Sequence, residues 1–176
     1  MGVEPGRGRA GIRVVGFDPG LADTGYAALE SGRGAPSVLG SGVIRTHRAE
    51  RLEVRLEQLF EETQEVLDRF APDLLVVEDV FSLPAVPRTA ILMGHARGVI
   101  CLAAAEAGIE MTSYSATQVK KILTGNGRAP KSQVQQAIRR ELGLAKIPEP
   151  ADVADALALA YTGLSRARGL GRLGPR

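Results

Sequence analysis

The chain has no tryptophan, one cysteine, and only four phenylalanines and three tyrosines among 176 residues. Its core must therefore be aliphatic, built from Val, Leu, Ile and Ala. The lone Cys101 excludes an internal disulfide and fits a reducing compartment. No apolar run approaches the roughly 20 residues needed to cross a bilayer, so no membrane is expected. Met1–Gly11 is rich in Gly, Arg and Pro and lacks the apolar stretch of a secretory leader. These absences point to a cytoplasmic protein. With 44% hydrophobic and 24% charged residues the chain is globular rather than disordered, and its length suits one domain.

Charge is scarce in sum but strongly segregated. The net charge is +2, and the two ends contribute more than that, so the body is net acidic. Residues 166–176 carry four Arg and no acid. Glu50 to Asp79 hold ten acids against three bases, whereas Lys120 to Lys146 hold seven bases against one acid. The polarity suggests a basic surface that meets an anion beside an acidic face or site. Two solvated helix faces would produce the same segregation.

The pattern along the chain divides into residues 1–11 as a flexible extension, 12–165 as the folded domain and 166–176 as a flexible Arg-rich tail. Ile12–Phe17, Gly25–Glu30 and Val38–Arg45 read as strands of an antiparallel meander. Glu50–Phe70 has apolar residues at helical spacing and stops at Ala71-Pro72. Leu74–Val77 is a continuous apolar run, expected as a central parallel strand. Arg88–Ala107 is a helix of small and apolar residues, suited to close packing on the sheet or on a second copy. Gly108 is expected as its C-cap. Met111–Tyr114 is a fifth strand. Ser115 caps a short helix to about Leu123, and helices follow over Lys131–Leu142 and Ala151–Leu164. The order predicts an α/β domain with a mixed five-stranded sheet flanked by helices.

Four acids stand where an acid is costly. Asp18 ends the first apolar strand and Glu78 ends the Leu74–Val77 run. Asp152 and Asp155 open a helix that continues Val153, Ala154, Ala156, Leu157, Ala158, Leu159 and Ala160. Asp152 and Asp155 are i, i+3 and share a helix face. Carboxylates at about 5 Å repel by roughly 3 kcal/mol at an effective dielectric near 20. Divalent cations relieve that repulsion, and Mg²⁺ or Mn²⁺ suit carboxylate oxygens. Two such ions held by acids form a device for phosphodiester hydrolysis. Each acid alone also has an ordinary structural reading, as turn former, strand end, N-cap or first-turn residue.

Five stretches carry a resemblance: Gly16-Phe17-Asp18-Pro19-Gly20 with Thr24-Gly25-Tyr26; Val76-Val77-Glu78-Asp79-Val80-Phe81; Gly94-His95-Ala96-Arg97-Gly98; Val119-Lys120-Lys121 through Gly125-Asn126-Gly127-Arg128-Ala129-Pro130-Lys131-Ser132-Gln133-Val134; and Ala151-Asp152-Val153-Ala154-Asp155-Ala156-Leu157-Ala158. In this order they resemble the RuvC family of bacterial Holliday junction resolvases, over about residues 12–163. The resemblance implies a ribonuclease H-like fold and a homodimer acting on four-way junction DNA. It implies paired nicks that leave ligatable 5′-phosphate and 3′-hydroxyl ends, with two Mg²⁺ or Mn²⁺ ions per site. It also implies cooperation with the RuvA–RuvB branch-migration complex. Asp18, Glu78, Asp152 and Asp155 match the family's catalytic, metal-binding acids. Lys120 and Lys131 match basic positions near the DNA, and Phe81 matches an aromatic implicated in stacking on an unpaired base.

The residues themselves place Lys120, Lys121, Arg128, Lys131, Arg139 and Arg140 as candidate phosphate contacts. Phe81 alone reads equally as a core plug or a stacking platform; the resemblance favours stacking. His47, His95 and Cys101 are not expected as ligands, and His95 reads as a hydrogen-bonded structural histidine. Three other functions compete. The Asp18-Pro19-Gly20 and Thr24-Gly25 pattern also resembles the phosphate loop of actin-like kinases, but those need two lobes. A junction-binding protein without activity would not need Asp152 and Asp155 together. A ribonuclease H-like ribonuclease shares the acids, but the Phe81 loop and the Lys120–Lys131 segment argue against it.

Overall fold

The computed structural model describes residues 11–79 and 87–169. Phe81, the segment 1–10 and the segment 170–176 lie outside them. The chain opens with β1 (Arg13–Asp18), β2 (Asp23–Glu30) and β3 (Ser37–Arg45), then α1 (Leu52–Phe70) and β4 (Leu74–Glu78). It continues with α2 (Pro87–Glu106), β5 (Glu110–Tyr114), α3 (Ala116–Thr124), α4 (Lys131–Glu141) and α5 (Ala151–Gly169). The strands form one mixed sheet in the order β3-β2-β1-β4-β5. β1, β2 and β3 pair antiparallel, while β1, β4 and β5 run parallel.

The alternation of side chains along each strand divides the core into two layers. Val15, Phe17, Leu75 and Val77 point to the face covered by α1 and α2, where they meet Leu59, Leu67, Ile100 and Ala103. Val14 and Val76 point to the opposite face, covered by α3, α4 and α5, where Leu157, Ala160 and Ile138 lie. The aliphatic core expected from the composition is present, with Phe17 the one aromatic among the largest fully buried side chains. Each fully buried Leu or Val contributes about 1.5–3 kcal/mol over its exposed state.

α5 lies unusually close to the sheet because residues facing it have no side chain. A Cβ on Gly16 of β1 would sit 2.4 Å from the Ala156 carbonyl oxygen, and on the helix side one on Gly163 of α5 itself would sit 2.4 Å from Val76. Buried Ala154, Ala156, Ala158 and Ala160 complete that close approach. Caps fix the other ends. Ser115 and Gln118 form a reciprocal capping box at α3, and Gly125 closes the same helix in the left-handed region at φ 75°. Gly108, also left-handed at φ 65°, follows α2 as expected.

Two expectations need correction. α5 runs to Gly169, five residues past the expected Leu164. Ser165, Arg166, Ala167 and Arg168 are all tolerated by a helix, and Ala and Arg favour one; the first breaker is Gly169 itself. His95 is exposed rather than a structural histidine of the core. α2 is apolar on both sides, so apolar neighbours in sequence did not indicate burial there. Ala96, Ile100, Ala103 and Ala104 are buried, while Ile91 remains 60% exposed and Leu102 53% exposed on the outer side.

Candidate active site

Strand parity brings the four acids together. Asp18 follows Val14 and Gly16 on the α5 face of β1, and Glu78 follows Leu74 and Val76 on the α5 face of β4. β1 and β4 are adjacent and parallel, with Phe17 opposite Val77, so the two acids end neighbouring strands side by side. Asp18 also pairs in register with Gly25 of β2, and a Cβ on Gly25 would lie 2.2 Å from the Asp152 carbonyl oxygen. That bare spot lets the first turn of α5 settle over the strand ends, where Asp152 and Asp155 face Asp18.

The electrostatics record the crowding. Asp18 is pushed from 3.8 up to about 7, by burial first and then by Glu78, Asp155 and Asp152, with Lys131 opposing. Burial and then the Asp155 charge raise Glu78 as well, while a hydrogen bond with Asp18 and the Lys131 charge act against the rise. Lys131 Nζ donates to Asp155 Oδ2 at 2.7 Å, and that bond is the main cause of its own raised pKa. Among the described residues the acids do not converge as a cage of three ligands around one point. The donor set is all carboxylate oxygen, which fits hard divalent cations and not the softer metals.

A pH prediction follows from Asp18. Its folded pKa lies above its unfolded value, so the folded state holds the proton more tightly. Stability is unaffected below about 4, falls as pH rises through the interval to about 7, and the whole loss is present above it. The shift corresponds to on the order of 4 kcal/mol. Without divalent ions, Asp18→Asn should therefore raise the melting temperature at pH 8 much more than at pH 4. An equal gain at both pH values would contradict the shift.

Two clefts meet at the acids from opposite faces of the sheet. One, of about 180 Å³, is lined by Glu78, Asp155, Lys120, Lys131, Val119 and Val134. Lys120 and Lys131, from α3 and α4, thus reach the acids. Lys121 and Arg128 are exposed nearby and do not line this cleft. Arg139 and Arg140 stand near the far end of α4, roughly 12 Å along the helix from Lys131. Arg140 pairs there with Glu141 at 3.2 Å.

The other cleft, of about 540 Å³, runs from Asp18 and Asp152 to Arg48, Arg55 and Arg88. Sequence reasoning missed these three arginines. Arg55 lies in the acid-rich helix α1, and only the approach of that helix to the end of β1 reveals its place. Arg97, within the Gly94–Gly98 stretch, also gains a position: it donates to Ser113 Oγ at 2.8 Å and pairs with Asp79, next to Glu78, at 3.4 Å.

Comparison with known proteins gives the family. Residues 14–163 match the family model described as crossover junction endodeoxyribonuclease RuvC. A protein of that name from Rhodopirellula baltica is 50% identical over 150 residues, covering 85% of this chain and 84% of the relative. The structure of Thermus thermophilus RuvC in complex with its Holliday junction substrate superposes with a TM-score of 0.83 at 34% identity, covering 90% of this chain and 96% of that one. The yeast mitochondrial Holliday junction resolvase, at 12% identity and a TM-score of 0.62 over 92% of this chain and 85% of its own, shares the fold. The chain therefore belongs to the RuvC family of crossover junction endodeoxyribonucleases.

Proposed function

We propose that this chain is a Holliday junction resolvase: a homodimer whose two sites each nick one of two strands of like polarity in a four-way DNA junction. The observation that carries the chemistry is the electrostatic crowding of Asp18, Glu78, Asp152 and Asp155 at one end of the sheet, with Lys131 beside them. These four acids would hold two Mg²⁺ or Mn²⁺ ions, which supply activation of water and charge relief at the phosphate. Asp18 is poised to exchange its proton for a cation near neutral pH, because its pKa lies at about 7. Lys131 stays cationic at that pH and is held on Asp155, where its ammonium meets a phosphate oxygen entering the cleft. Lys120 adds a second charge to the same wall, and exposed Lys121 and Arg128 extend the basic surface. Phe81 is assigned to base stacking on the resemblance. The ends left would be 5′-phosphate and 3′-hydroxyl, and the RuvA–RuvB complex is the expected partner. All of this is consistent with a cytoplasmic setting; no described helix is long and apolar enough to cross a membrane.

The dimer rests on the outer side of α2. Ile91 and Leu102 are exposed large apolar residues, and among the described residues a Cβ on Gly94 or Gly98 between them would meet nothing within 4 Å. A second helix can approach closely over such a surface, burying both side chains. The pair Ile91→Glu with Leu102→Glu should yield a monomer by light scattering at concentrations where the wild type is a dimer. A supercoiled plasmid with an extruded cruciform reads the consequence. The wild type should convert it to linear product through two nicks in one encounter, and the charged variant should give mainly nicked circles. Nicked circles from the wild type, with no linear product, would count against paired action.

Lys131→Ala should lower the cleavage rate and make junction affinity less salt-sensitive, by about 0.9 in the log–log slope for one lost phosphate contact. An unchanged slope with unchanged cleavage would remove Lys131 from the site.

A further inference from the structure

Arg55 is a half-buried arginine whose orientation is fixed from behind. Its Nε donates to Thr46 Oγ1 at 2.9 Å, and the buried Thr46 hydroxyl donates in turn to the Leu21 carbonyl. This relay ties the guanidinium to the loop that follows Asp18. It occupies Nε, and among the described residues the two terminal nitrogens have no partner. Among the described residues no carboxylate lies within ion-pair distance of Arg55, although α1 is rich in acids. A cation taken partly out of water without a counter-charge is costly unless an anion arrives.

The surroundings of Arg55 say what kind of anion fits. It lines the 540 Å³ cleft together with Arg48 and Arg88, and the same cleft ends on Asp18 and Asp152. Arg48 is only loosely held, 3.9 Å from Asp23, which lies closer to Arg45 at 3.3 Å. Arg88, at the start of α2, is exposed. The three guanidiniums attract an anion, and a polyanion long enough to extend from them over the acids is accommodated where divalent cations offset the carboxylate charge. A guanidinium with two free nitrogens matches a phosphate in bidentate fashion. Lys120 and Lys131 stand in the other cleft, on the opposite face of the sheet.

We propose that the cleft walled by Arg48, Arg55 and Arg88 is a second phosphate subsite, in which Arg55 grips the DNA strand on the side of the cut away from Lys131. The strand then crosses the end of the sheet over the acids, anchored on both flanks. Arg55 is a positioning residue in this scheme: it fixes the register of the strand and leaves the chemistry to the acids. The inference rests on the nuclease reading above.

The test uses the full chain and a synthetic four-way junction. Affinity is measured against KCl concentration in EDTA, and cleavage is measured with Mg²⁺ as a function of junction concentration. Arg55→Gln should flatten the log–log salt slope by about 0.9 and raise the junction concentration for half-maximal rate at least several-fold. Arg55→Lys should restore most of the salt slope, which a purely structural role would not do. The double variant Arg48→Gln with Arg88→Gln alters only the cleft wall and should shift the slope in the same direction. It therefore decides the matter if Arg55→Gln folds poorly. Wild-type slope and half-saturation in both the Arg55→Gln protein and the double variant would overturn the subsite. If the wild type binds the junction but cuts nothing, the nuclease reading fails, while the salt slopes still decide whether the cleft holds phosphate.

Discussion

Asp18→Asn is expected to abolish junction cleavage while leaving junction affinity in EDTA within about twofold. The substitution keeps the shape of the side chain and removes one negative charge from the crowded end of β1. Asp18 feels the charges of all three of the other acids. Losing a central anionic oxygen donor should lower the rate on the order of 10³-fold or more, about 4 kcal/mol of transition-state stabilisation. Binding should survive, because Lys120, Lys131 and Arg55, proposed to meet DNA, lie in the flanking clefts. The same substitution removes the desolvation cost of burial and the repulsion from the neighbouring acids, so the variant should be more stable in metal-free buffer at pH 8. A variant that cuts normally would remove Asp18 from the reaction. One that loses binding and stability together would reassign it to the fold.

A second large effect is expected at Gly25, which carries no charge at all. Its Cβ would sit 2.2 Å from the Asp152 carbonyl oxygen and 2.6 Å from the carbonyl carbon. Both are helix backbone atoms, so no side-chain rotation relieves the clash. Gly25→Ala must push the start of α5 away from the strand ends, and Asp152 and Asp155 move with it. Overpacking of this kind costs about 1–3 kcal/mol or more, about 2–10 °C in melting temperature for a chain of this size. Activity should fall further than stability, since a site misplaced by an ångström loses on the order of 10²-fold. Gly34→Ala is the control, because among the described residues its Cβ would meet nothing within 4 Å. It should leave the melting temperature nearly unchanged. If Gly25→Ala melts and cuts like the wild type, the close seat of α5 on β2 does not set the site.

The placement of the four acids at one end of the sheet was legible in the sequence because strand parity and helical spacing are local rules. Asp18 and Glu78 each sit one residue past a buried run, on the parity of Gly16 and Val76, and that parity is the face α5 covers. The five strands and the helix starts were legible for the same reason, with Ser115 and Gly108 marking their ends through capping chemistry. What escaped the sequence depends on contacts between distant segments. Arg55 reads as one base in an acidic amphipathic helix until α1 is laid against β1 and Thr46. His95 lies among apolar neighbours yet on the open side of α2, because apolar content alone does not say which side of a helix is covered. The last turns of α5 were hidden by a composition of Arg and Gly that resembles a tail, although its first four residues are compatible with a helix.

The measurement that bears most directly on the account is cleavage of a synthetic mobile four-way junction in Mg²⁺ or Mn²⁺, beside a linear duplex and an RNA–DNA hybrid. Symmetric paired nicks are expected in the junction alone, sealed by ligase, and none in EDTA. Cutting of the hybrid without the junction would contradict it and leave a ribonuclease on the same acids. Tight junction binding with no cutting in either metal would also contradict it, reducing the protein to a junction binder.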